Sequence, residues 1–143
     1  PTNSTKGSGF EDVCSREMLA ETLEKGMKPA EVADRFAART VDELRADLPA
    51  LAIEFGKRTP RSYDLLVCGN FMRMKRKDAA RAVVMFELAT RLFPKEMDTW
   101  YWLGEGRSEA GDPAGARIAW TEALKFATAD DDRKEIQARI DHR

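Results

Sequence analysis

Side chains able to do acid-base, nucleophilic or metal chemistry near neutral pH are scarce in this chain: one His and two Cys among 143 residues. His142, the single imidazole, stands beside the last residue on a turn expected to be solvated, whereas a general base needs a buried partner and a pocket. Cys14 and Cys68 form neither a CxxC pair nor a zinc-type spacing, so they read as small hydrophobes, with a disulfide left open. Glu11-Asp12 and Asp130-Asp131-Asp132 suit helix N-termini, where carboxylates meet the positive dipole end, better than a glycosidase dyad. No GxSxG elbow, HExxH, GxxxxGK[ST] or GxGxxG is present. The expectation is a protein without catalytic residues, metal or cofactor, whose function is to bind.

Composition supports one folded domain. Hydrophobic residues make up 43% and charged residues 34%, enough for a core and for its solvated outside. Twenty-four Lys and Arg against twenty-five Asp and Glu leave a formal charge of -1, which creates no whole-molecule pull towards nucleic acid or anionic lipid. No run of 18 apolar residues exists to span a membrane. The chain opens on Pro1, so the compartment is left open between cytoplasm and periplasm for a chain expected to be soluble.

Residues 1–9 are small and polar and read as a flexible tail or expression remnant; residues 10–143 read as one domain. From Phe10 onward apolar residues recur at three and four, the period of helices. Helices are predicted over about Phe10–Lys25, ending at Gly26, and over about Pro29–Ala38. Thr40 and Glu43 form a capping box for a third, running through Phe55, which Pro49 either kinks or divides into two. Thr59-Pro60 opens a fourth to about Lys75, Asp78 caps a fifth to Phe93, and a sixth fills about Glu96–Ala110. Asp112-Pro113 starts a seventh to about Ala127, and Asp130–Asp132 lead into an eighth to about Asp141. Short connections make neighbours antiparallel, so the predicted fold class is all-α.

Placing Lys77–Pro94 above Gly111–Thr128 aligns Ala82 with Ala116, Phe86 with Trp120 and Ala89 with Ala123, each 34 residues apart. Trp100, Leu103 and Gly104 precede the second copy. In this order of residues the chain resembles the tetratricopeptide repeat family, whose 34-residue unit is a pair of antiparallel helices. Small Ala and Gly positions allow close helix approach, and the aromatic fills the gap between pairs. In the first unit the register works only if the leading helix slides by one, giving Leu65, Cys68, Gly69 and Met72 the packing positions and an extra residue to the Lys75–Lys77 turn. The resemblance implies an antiparallel helix-pair solenoid of seven to eight helices, with clear units over 63–96 and 97–130 and a degenerate one over 29–62. It also implies a capping helix over 131–142, with Ile136 and Ile140 inward and Arg133, Lys134, Glu135, Arg139 and Asp141 left for water.

In such a solenoid the first helix of each pair lines the concave face. The expected groove residues are Tyr63, Leu66, Asn70 and Arg73 in one unit and Asp98, Tyr101, Trp102, Glu105 and Ser108 in the next. Tyr101 and Trp102 would anchor a peptide, and Trp100 would pack. The Lys and Asn clamp by which some members of the family hold a terminal carboxylate is not expected, because Leu66 and Tyr101 stand where it needs Lys. A protein or peptide is the expected partner. An alternative is an accessory or dimerising segment, since 48–112 also resembles the repeat tail of some bacterial serine hydrolases and esterases. A second is an RNA or an acidic partner meeting the basic run Arg73, Lys75, Arg76, Lys77 and Arg81.

Overall fold

The structure, a computed structural model, describes residues 27–58 and 61–142. The tail, the helix expected over Phe10–Lys25, Cys14 and the Thr59-Pro60 helix start lie outside the described residues. The rest is all helix: α1 Pro29–Ala37, α2 Val41–Ala46, α3 Leu48–Arg58, α4 Ser62–Met74, α5 Ala79–Leu92, α6 Met97–Glu109, α7 Pro113–Phe126 and α8 Asp130–Asp141. Among the described residues there is no strand.

Local chemistry accounts for most boundaries. Glu43 N–H donates to the Thr40 hydroxyl at 3.1 Å and Thr40 N–H to the Glu43 carboxylate at 2.9 Å, closing the capping box that starts α2. Of the two outcomes predicted at Pro49, the chain takes the break. Asp47 leaves the helix, and Pro49 falls in the first turn of α3, where its missing N–H has no intrahelical partner to lose.

The two clear units show how the repeat is built. From α4 to α6 both ends advance by 35 residues, Ser62 to Met97 and Met74 to Glu109, whereas from α5 to α7 they advance by 34, Ala79 to Pro113 and Leu92 to Phe126. The odd residue is absorbed between α4 and α5, the turn in which the slid register puts it. Both turns close alike: Asp78 N–H donates to Met72 O at 3.0 Å, and Asp112 N–H to Arg107 O at 2.8 Å. Both Asp side chains then cap the next helix, accepting from Arg81 N–H and Gly115 N–H.

Ala82, Ala89, Ala116 and Ala123 are buried where helices touch. The Phe86 ring lies against Gly69 of its own unit and Gly106 of the next, and the Trp120 indole lies against Gly104; a Cβ on any of these glycines would overlap the ring. Gly69 and Gly104 therefore hold equivalent places 35 apart, as the slid register requires. Leu65, Cys68 and Met72 are fully buried beside Gly69. Trp100, expected to pack in the core, is only half-buried, and its indole N–H donates to Pro94 O at 2.8 Å, pinning the first turn of α6 to the preceding turn.

Upstream, α1 packs on α4, while α2 and α3 pack on α5. Arg81 ties this region down, its guanidinium donating to Phe36 O and Arg39 O just after α1. One continuous core results, from Phe36 and Phe55 through Phe86 to Ile136.

One strained position stands out. Lys77 takes a left-handed φ of 55° where the second unit has Gly111 at 90°, and a side chain there costs about 1 kcal/mol that glycine avoids. Lys77→Gly is expected to raise stability by about 0.5–1 kcal/mol, and Gly111→Ala to lower it comparably, both read from urea unfolding midpoints.

Candidate binding face

The face predicted to meet a ligand is formed by α4 and α6, and its residues divide by depth. Leu66, Asn70, Tyr101 and Trp102, expected to point outward, are buried, with Tyr101 only 1% and Trp102 7% exposed. Tyr63, Arg73 and Glu105 are half-buried, whereas Asp98 and Ser108 are open to solvent. The expected aromatic anchors thus belong to the floor, and the accessible part is a polar rim.

The floor is held by charged side chains. Arg73 donates twice to the Asn70 carbonyl oxygen, at 2.7 and 3.0 Å, pairs with Glu109 of α6 at 3.0 Å and lies 5.4 Å above the Trp102 ring. Asn70 in turn donates to Leu66 O at 3.0 Å, which satisfies a buried amide. This lattice joins the inner faces of both units and satisfies the polar groups of Asn70 and Arg73.

Tyr101 is covered from α8. Its hydroxyl donates to Glu135 at 3.0 Å and accepts from the Arg139 guanidinium at 3.1 and 3.3 Å, and Arg139 pairs with Glu105 at 2.8 Å. Glu135 and Arg139, expected to face water, latch α8 to α6; Glu135 is half-buried, while Arg139 stays exposed as expected. The i, i+4 spacing that places Glu135 and Arg139 beside Ile136 and Ile140 was the signal available in the sequence. Arg133 is exposed as expected and also donates to Ala127 O at 3.1 Å. Burial pushes the Tyr101 hydroxyl and the Glu105 carboxyl above their ordinary ranges.

Asp98, on α6, keeps an edge open to solvent, but its carboxyl is partly desolvated by the surrounding atoms. That desolvation, with the like charges of Asp132 on α8 and Glu96, raises the carboxyl to about 6. Its ionisation therefore opposes the fold, fully above about pH 6, and the opposition is relieved as pH falls from there towards the ordinary Asp value.

The basic run is largely consumed internally. Arg73 is paired as described, Arg76 meets Asp34 at 2.8 Å, and Arg81 meets Asp78 at 3.0 Å besides holding the end of α1. That removes most of the charge on which an RNA reading depended. Among the described residues no three His, Cys, Asp or Glu side chains gather as a metal site, and no helix is long and apolar enough to cross a membrane.

Fold and face together describe a helical-repeat protein of stacked antiparallel pairs closed by a terminal helix. The chain is similar to a TPR repeat-containing protein of Pseudomonas aeruginosa, 39% identical over 57 residues, 40% of this chain. It spans about half, 54%, of that relative's length. No family profile matches the chain, and no solved structure matches it. Nothing in these comparisons supports the hydrolase-tail resemblance.

Two outcomes follow from the geometry of α8 and Asp98. Burying Ile136 is worth about 2–3 kcal/mol, and 1 kcal/mol moves Tm by about 2–4 °C at this size. Removing residues 131–143 should therefore lower Tm by about 5–10 °C and expose Trp120, read by calorimetry and tryptophan quenching. Asp98→Asn should raise the urea midpoint at pH 7 and flatten its change between pH 4 and 6, relative to the unaltered chain.

Proposed function

We propose that this chain is a non-catalytic interaction scaffold of the tetratricopeptide type, receiving a peptide or protein segment on the face formed by α4 and α6. What carries this reading is the repetition itself: an aromatic ring locked over a glycine in both units, with matching turns, holds two first-helices in fixed register beside one another. The partial likeness to the Pseudomonas relative supports it. A partner lying along this face would meet Asp98 and Ser108 directly and Tyr63, Arg73 and Glu105 in part. Leu66, Asn70, Tyr101 and Trp102 would set the shape of the floor beneath it. The scarcity of acid-base groups argues against chemistry of its own.

Peptides selected by phage display against the folded chain test this. Binders are expected to associate one to one in calorimetry, and Asp98→Lys combined with Ser108→Arg, both at exposed positions, should weaken them at least about tenfold, or 1.4 kcal/mol. Failure to enrich any peptide, or equal affinity for the double variant, would overturn the reading. A tight dimer in sedimentation, dissociated by the same two substitutions, would replace it with the assembly role.

A further inference from the structure

Where the C-terminal ends of α6 and α8 meet the first turns of α7, the structure holds a cleft of about 570 Å³, within the ~300–1,000 Å³ range of small-molecule sites. Its apolar lining comes from Trp120, Pro113 and Ala138. The remaining lining is charged or polar, and its two arginines differ. Arg139 and Glu105 already neutralise each other at 2.8 Å, with the Tyr101 hydroxyl and Glu135 completing the contacts of Arg139. Arg117, by contrast, is fixed by a single bond, Nε–H to Ile140 O at 3.2 Å. Arg117 belongs to none of the ion pairs among the described residues. The bond to Ile140 holds the guanidinium by Nε and leaves its two terminal nitrogens as donors with no acceptor among the described residues.

We propose that this cleft binds a carboxylate carried on a flat apolar stem, with Arg117 taking the carboxylate through its terminal nitrogens and Trp120 and Pro113 stacking against the stem. A guanidinium fork suits two carboxylate oxygens. Ser108 lies on both the cleft lining and the rim of the proposed groove, so the ligand is either the C-terminal residue of a bound peptide or a free aromatic acid. The peptide source rests on the scaffold reading; the cleft itself does not.

Phenylacetate titrated into the full chain, followed by proton–nitrogen NMR, is the probe. The Trp120 indole N–H and the amides of Ala138 to His142 should shift saturably. Phenylacetamide, the neutral counterpart, should bind at least about tenfold more weakly. Arg117→Gln should lose binding to the same degree, while Arg117→Lys, which keeps the charge, retains an intermediate affinity; unchanged spectra elsewhere and unchanged Tm confirm that both variants fold. Equal response to acid and amide, no saturable shift, or insensitivity to Arg117→Gln would overturn the proposal. The tripeptide Ala-Ala-Phe, free or amidated at its C-terminus, separates the two sources: a free-acid peptide about tenfold tighter than phenylacetate assigns a peptide terminus, and one no tighter assigns a small aromatic acid. Selected peptides that bind while phenylacetate does not would sink the cleft and leave the scaffold standing, and the reverse result would do the opposite.

Discussion

Close approach between an aromatic ring and a helix backbone is the constraint on which the rest of this structure depends. Phe86 can fill the space between α4 and α6 only because Gly69 and Gly106 present no Cβ to it, and Trp120 makes the same demand of Gly104. Dense packing leaves no tolerance for a slip, so the contact fixes where each first-helix stands along its partner. The register of the units, the depth of Tyr101 and Trp102, and the direction in which Arg73 reaches all descend from it.

The inner face that results combines apolar burial with directed charge. Arg73 spans from Asn70 to Glu109 and covers Trp102, while Arg139 spans from Glu105 to Glu135 and covers Tyr101. In each case an Arg joins successive elements over an aromatic ring, its stem lying on apolar surface and its fork satisfying carboxylates. Arg73, Glu105 and Glu135 are half-buried while Glu109 and Arg139 stay open to water, so screening by salt weakens each pair only in part.

The helices were readable because their signals are local. Thr40 with Glu43, Pro29, Asp78, Asp112 and Gly111 each act within a few residues of themselves, and each works at its place without help from distant chain. Ambiguity arose only at Pro49, where one residue is compatible with a kink or with a first turn and the choice depends on what α2 and α3 pack against. The binding face was less legible. Exposure is not a property of helical phase alone, and nothing in the spacing of Tyr101 and Trp102 announces that Arg73 and Arg139 will lie over them.

By itself the sequence determined an all-helical chain, the approximate ends of its described helices, the 34-residue repetition and the one-residue slide that Gly69 and Gly104 impose, because propensity, capping and steric size act over short range. Only the tertiary structure decided which side chains face water. Glu135 and Arg139 became the latch between α8 and α6, Trp100 left the core, and Arg117 was left outside the ion pairs of the described residues, because burial and ion pairing are fixed by residues distant in the chain that folding brings together.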